Sequence, residues 1–497
     1  MSVQRHIGSP KTRRVNLLAD NSNGINFGVH NSSINNLERA LYERVFFVSD
    51  GGEFKPPPKP KSAQMFVERL SRFKQSFRKL IPPTTAWSFN DFVNSYTGRK
   101  RGVYERAVSS LATKPLDIRD SYIQAFVKAE KINFSAKKDP APRVIQPRSP
   151  RYNASIGRFI KPIEHKIYNI IAELFEAPTV AKGMNSSVLG ELIAWKWDQF
   201  NDPVAIGLDA SRFDQHCSIP ALKWEHSIYK MFFGGDAEFA TLLKWQLHNV
   251  GYGRTEDGVI KYKTDGCRMS GDMNTGLGNC LLMCAMIYGY MQNKHIKYQL
   301  INNGDDCVLF IERKHLKLLD DCSSWFLDMG YTMKIEPPVS VLEKVEFCQM
   351  CPIFDGSNYI MVRDPRTCLT KDLVSIKPVG EYESWRFQCQ AISDCGIACA
   401  GGVPIFNSFY HSLDVGGRHK VNETPESGFQ FLAQGMDRKY STPCDDIRVS
   451  FWKAFDICPD VQESIEQYFS GKVWYNPGPV IKYQRPSELH HTYPYEI

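Results

Sequence analysis

A chain of 497 residues, 42% hydrophobic and 12% aromatic, is excluded from the disordered class and is too long for one simple core. Its net charge of +7 favours an anionic partner only where cations cluster. The 14 cysteines lie in apolar runs, as at Cys280, Cys284 and Cys307, without the spacing of a secreted disulfide scaffold, and indicate a reducing compartment.

The amino terminus, Met1 to His6, lacks an apolar signal core. A helix is expected around Asn36–Phe46, where Leu37, Leu41 and Val45 share a face. Phe54–Lys61 is proline-rich and basic, an extended strap or linker. Phe66, Leu70, Phe73, Phe77 and Leu80 then recur at helical spacing, with Arg69, Arg72, Lys74, Arg78 and Lys79 on the other face. That basic face suits solvent and nucleic acid equally. Between residues 98 and 166 cations concentrate at Arg99–Arg101, Lys128, Lys131, Lys137, Lys138, Arg143, Arg148, Arg151, Arg158 and Lys161. Interleaved with Pro, Val and Ile, they predict a phosphate-binding surface on an extended scaffold.

A buried strand is expected to end at Asp209, followed by a helix over Ile219–Phe233 with Pro220 in its first turn. Another helix falls near 236–248, and Gly251–Gly266 reads as a hairpin turning at Glu256-Asp257-Gly258. A Gly-rich loop, Ser270–Gly278, leads into the apolar stretch Leu277–Met291, which is too short and interrupted to span a bilayer. Gln299–Ile311 is a hairpin whose turn, Asn303-Gly304-Asp305-Asp306, presents adjacent carboxylates. Leu316–Met329 reads as a helix, and Tyr331–Ile335 and Val345–Cys351 as strands. Cys348 and Cys351 have no second pair at zinc-finger spacing and are taken as strand cysteines. After residue 366 helices and loops precede a tail rich in Pro, Tyr and His.

The turn at Asp305-Asp306 is, alone, an ordinary polar turn. It gains meaning beside Asp209-x4-Asp214 and Ser270-Gly271-Asp272-Met273-Asn274-Thr275-x3-Asn279. Joining two nucleotides requires deprotonating a hydroxyl and neutralising a pyrophosphate leaving group. Two Mg²⁺ ions roughly 3.5–4 Å apart, held by carboxylates from neighbouring strands, meet that need.

These three segments, in this order, resemble motifs A, B and C of viral RNA-dependent RNA polymerases. Lys128–Lys131 and Pro142–Arg148 upstream, and Glu346–Gln349 downstream, resemble the tombusvirus family of plus-strand RNA plant viruses. The resemblance implies an α/β (α+β) right-hand fold with an antiparallel palm sheet. Fingers with an amino-terminal extension would occupy 1–203, palm 204–235 and 264–366, a fingers insertion 236–263, and thumb and tail 367–497. It implies that Asp209, Asp305 and Asp306 hold two Mg²⁺, with Mn²⁺ as a substitute, Asp305 being the more direct ligand of the turn pair. Asp214, Ser270, Thr275 and Asn279 would sense the ribose 2′-hydroxyl. Arg143, Lys138 and Lys128 would contact the triphosphate, and Lys334 would be the general acid for pyrophosphate.

The implied activity is RNA synthesis from rNTPs on a viral RNA template, with de novo initiation. A membrane-anchored auxiliary replication protein is the implied partner. The implied location is host cytoplasm, at membrane-associated replication complexes reached through partners or an upstream fused region. A non-catalytic RNA-binding scaffold and a reverse transcriptase are the alternatives. The latter would block the 2′-hydroxyl with a bulky side chain, where this chain has Asp214 and Asn279.

Overall fold

The computed structural model describes residues 1–19, 25–416 and 432–476, and the backbone of 481–482. Its centre is a four-stranded antiparallel sheet in the order Tyr298–Asn303, Asp306–Glu312, Pro203–Ala210, Met333–Ile335. Alternate residues of a strand face opposite sides, and here each side is buried against its own core. Ile206, Leu208, Cys307 and Leu309 pack on the back, against helices that include Thr275–Met291. Ala205, Val308, Phe310 and Ile301 pack on the front, against Leu189 and Ile193 of the helix Ser186–Trp197. Burial on both sides makes these strands near-continuous apolar runs.

A second, five-stranded sheet runs in the order Ser2–Arg5, Gly258–Asp265, His248–Thr255, Ile123–Val127, Val144–Ile145. The expected hairpin at Glu256-Asp257 is therefore part of a larger sheet. It is covered by Leu37, Ala40, Leu41 and Val45, on the helix Ile34–Leu41 and the π-helical turn that continues it through Phe46. The carboxy-terminal helices, among them Tyr382–Ala400 and Asp445–Phe455, form a third core around Trp385, Phe409 and Phe451. The amino-terminal segment joins that core. Val15–Leu17 pairs with Val374–Ser375, and the Trp385 indole donates to the Leu18 carbonyl at 2.5 Å.

Several expectations need correction. The cations of 98–166 are not on an extended scaffold throughout, because Gly98–Thr113 and Pro150–Leu174 are helices. Pro150 starts the second of these, where its missing N–H costs nothing. The helix expected over 66–80 is broken at Leu70 into Ala63–Arg69 and Ser71–Lys79, although its apolar face is buried as expected. Of its cations, Arg69 pairs with Asp328 at 3.0 Å and Lys74 donates to Ser227 at 2.7 Å. Leu316–Met329 is divided into a 3-10 segment, Arg313–Leu319, and the helix Cys322–Asp328. The strand expected at Val345 begins only at Met350. Cys348 and Gln349 both have positive φ, 52° and 62°, and turn the chain first. Readings that fall on 477–480 and 483–497 lie outside the described residues. Among the described residues, no helix is long and apolar enough to cross a membrane.

Candidate active site

Asp306 stands opposite Asp209 in the ladder, and Lys334 stands opposite Asp209 on its other side. Directly opposed residues share a face, so the strand register alone collects Asp209, Asp306 and Lys334. Only Gly304 and Asp305 separate the hairpin strands. Gly304 has φ +88°, the left-handed value that the first position of a tight II′ hairpin turn demands. Buried Asn302 fixes the turn by accepting from Gly304 N–H at 3.2 Å and donating to its carbonyl at 2.7 Å.

Burial pushes the Asp305 carboxyl above its ordinary value, and Asp209 pushes it further, against Lys182 and Arg143. Asp306 is also raised by burial, with Asp305 and Asp209 adding to it. One Asp306 oxygen accepts the Cys348 N–H at 2.9 Å, which opposes the rise. That donor lies in a turn closed by Phe347 and Met350, which exchange N–H to carbonyl bonds of 2.9 and 3.1 Å. Glu346, exposed at the surface, is raised as well, by partial desolvation and then by Glu336 and Asp306.

Beside Asp209 and Asp305 opens a cavity of about 530 Å³, whose wall includes Lys128, Arg143, Asp214, Ser270 and Asn279. Asn279 donates to Asp214 at 2.8 Å, yet its own carbonyl oxygen is buried without a partner. Burial raises Asp214. A donor and acceptor such as a ribose hydroxyl suits this pair. The loop carrying Ser270 is built to hold position. Ser270 Oγ accepts from Gln146 N–H at 3.2 Å, and a Cβ at Gly271 would lie 2.5 Å from Pro147 Cα.

Beneath the loop, Arg268 pairs with Glu225, and both are fully buried. Glu225 also accepts from Asn274 at 2.9 Å and from Tyr229 at 2.8 Å. Arg148 pairs with Asp272 at 2.5 Å and donates to Asn249 at 2.7 Å, so this cation, expected on a phosphate-binding surface, is structural. Arg151 is likewise committed to Asp120, at 3.0 Å.

The cationic wall differs in detail from expectation. Lys128 and Arg143 share Glu130, at 2.9 and 3.5 Å. Arg44 and Arg212 also line the cavity and were not singled out from sequence. Burial lowers Arg44 to about 10, with Arg212 and Arg143 adding to the shift. Four proposed residues do not line the cavity. Lys138 is exposed in the loop after Asn133. Thr275 Oγ1 donates to the Met269 carbonyl at 2.7 Å, inside its own loop. Lys334, 64% exposed, points its ammonium to Glu336 at 3.6 Å. Asp306 also stays behind the cavity wall, with its carboxylate on Cys348.

Among the described residues, no three His, Cys, Asp or Glu side chains converge into a ready-made metal cage. The donor chemistry still fits a hard divalent cation, since Asp305 is raised by burial and by Asp209, and Asp306 by burial and by Asp305 and Asp209, leaving negative charge under-compensated. Mg²⁺ commonly takes one or two carboxylates and completes its shell with water and substrate phosphate.

The chain belongs to the viral RNA-dependent RNA polymerase family, whose family model matches residues 1–472. It is 44% identical over 450 residues to the RNA-directed RNA polymerase of Tobacco necrosis virus (strain A), covering 89% of this chain and 62% of that one. Identity to the RNA-directed RNA polymerase of Turnip crinkle virus is 44%, over 93% of this chain and 60% of the relative. For that of Melon necrotic spot virus it is 43%, over 92% and 58%. The chain thus spans about three-fifths of the length of the curated relatives it matches.

Proposed function

We propose that this chain polymerises ribonucleotides on an RNA template by two-metal nucleotidyl transfer, as the replicase of a plus-strand plant virus. The observation that carries the reading is the register of Asp209 against Asp306, with Asp305 at the tip of the same hairpin and facing a cationic cavity. The central sheet is the palm, the five-stranded sheet with its covering helices the fingers, and the carboxy-terminal helices the thumb.

Asp209 and Asp305 would hold the two Mg²⁺, or Mn²⁺, with Asp306 contributing from behind the Cys348 N–H. Such ions lower the pKa of the attacking hydroxyl and neutralise charge on the phosphoryl and leaving groups. Arg143 and Lys128 orient the triphosphate and hold its charge. Lys138, in the same segment, is assigned to the outer end of that path. Asp214 and Asn279 receive the 2′-hydroxyl, while Ser270 and Thr275 hold the loop at its working height. Lys334, across the ladder from Asp209, delivers a proton to departing pyrophosphate.

Initiation without a primer, a membrane-anchored auxiliary replication protein as partner, and residence at cytoplasmic membrane-associated replication complexes belong to the same reading and rest on family membership. Incorporation of labelled nucleotides on a short RNA tests the catalytic part. Ribonucleotides are expected to be used well above deoxynucleotides. Preferential use of deoxynucleotides would make this a reverse transcriptase, and no metal-dependent incorporation would leave an RNA-binding scaffold.

A further inference from the structure

The edge of the central sheet next to the Asp305 turn carries an additional extended segment. Val180 bridges Asn302 in parallel, with Ala181 N–H donating to the Asn302 carbonyl at 2.8 Å and Asn302 N–H to the Thr179 carbonyl at 2.9 Å. Thr179, Val180 and Ala181 are buried, so the backbone that delivers Lys182 is fixed, while the Lys182 side chain is exposed. Its ammonium lies close enough to Asp305, Cys280 and Cys348 to favour the ionised form of each, opposing the rise that burial imposes. It therefore sits at the rim shared by the Gly304-Asp305 turn, the Cys348-Gln349 turn and the start of the helix Thr275–Met291.

Two features distinguish this lysine from a counterion of Asp305. Among the described residues it forms no salt bridge, whereas Lys128 and Lys334 each have a carboxylate. The surface around it is also kept open. A Cβ at Gly183 would meet nothing within 4 Å, and one at Gly276 would first meet Lys182 Cε at 3.8 Å. The sheet order puts Lys182 outside Tyr298–Asn303, on the opposite side of the hairpin from the strand of Asp209, and it does not line the cavity of Arg143 and Lys128. A cation on a rigid edge, fronted by glycines and separated from the triphosphate side, suits a phosphodiester of a strand whose end reaches Asp305.

We infer that Lys182 binds a backbone phosphate of the RNA strand being extended, close to its 3′ end, and positions that end at Asp305. The inference rests on the polymerase reading above. Its test is equilibrium binding of a fluorescent RNA duplex with a recessed 3′ end to the whole chain, without nucleotides and across a salt series. Lys182→Ala is expected to weaken binding about 5–10-fold and to reduce the log–log salt slope by about one phosphate's worth. Lys182→Arg should retain both, and the KM for nucleotide should change little in either variant.

Unchanged duplex affinity and slope in Lys182→Ala would overturn the inference. So would a shift confined to the Mg²⁺ requirement, which would make Lys182 a counterion of Asp305. Wild-type incorporation on the same duplex separates the two failures. If it occurs while Lys182→Ala binds normally, only the inference fails. If wild-type protein binds but does not extend, the polymerase reading fails, and if it does not bind, both fail.

Discussion

Cys348 donates its backbone N–H to the Asp306 carboxylate at 2.9 Å. It does so from a turn in which both central residues, Cys348 and Gln349, adopt left-handed backbone. The second aspartate of the hairpin is thus held by a segment more than forty residues further along, and the geometry depends on backbone rather than on the thiol. L-residues in this region cost about 1–2 kcal/mol. Gln349→Gly is expected to stabilise the fold by up to about 1 kcal/mol in chemical denaturation, leaving the donor to Asp306 in place.

Asp306 is raised by burial and by its acidic neighbours, so the folded chain binds that proton more tightly than the unfolded chain. The ionised carboxylate therefore opposes folding at neutral pH, and this cost disappears as pH falls through the raised value towards the unfolded one near 4. Asp306→Asn keeps an acceptor for Cys348 while removing the charge. Without divalent ions it is expected to melt at a higher temperature than wild type at pH 7, with the gap closing on acidification. A gap independent of pH would show that charge is not the cause.

Gly278 has a packing role within the helix Thr275–Met291. A Cβ there would lie 2.4 Å from Glu225 Oε1 and 2.6 Å from an Arg268 guanidinium nitrogen. Neither atom moves freely, because the pair is fully buried and tied to Asn274 and Tyr229. Gly278→Ala is expected to cost about 1–3 kcal/mol of stability by overpacking. Arg268→Leu should cost more, about 3–5 kcal/mol, by leaving Glu225 uncompensated. Denaturant titration of both variants measures the difference.

Register places Lys334 opposite Asp209, outside the cavity wall, and its exposed ammonium faces Glu336. If it protonates pyrophosphate, Lys334→Leu should lower kcat about 100-fold with little change in the nucleotide KM, the scale of general acid catalysis. Loss of the basic limb of the kcat–pH profile should accompany it. A rise in KM alone would assign Lys334 to binding.

The central hairpin, the strand ending at Asp209 and the helices after Ser218 and Thr275 were legible because their signals are local: alternation, a Gly in a turn, a Pro in a first turn. The shared cavity of Asp209, Asp214, Ser270, Asn279 and Asp305 was legible only through motif order. Arg44 and Arg212 were not, since nothing near them in sequence shows that they will face Arg143. Arg148 misled for the converse reason, because its partner Asp272 lies 124 residues away. Cys348 and Gln349 lie in an apolar, strand-like run, and the turn they make is imposed by tertiary contacts to Asp306 and Asn303.

We propose that Asp209 and Asp305 hold the ions that drive nucleotide transfer. The most direct test is Mg²⁺-titrated incorporation of labelled ribonucleotide on a short RNA by wild type, Asp209→Ala and Asp305→Ala, each shown to be folded. Wild type is expected to incorporate with a saturable Mg²⁺ dependence, and both variants to fall at least about 1,000-fold, as befits loss of a term worth several kcal/mol. Equal incorporation by wild type and Asp305→Ala would contradict the account.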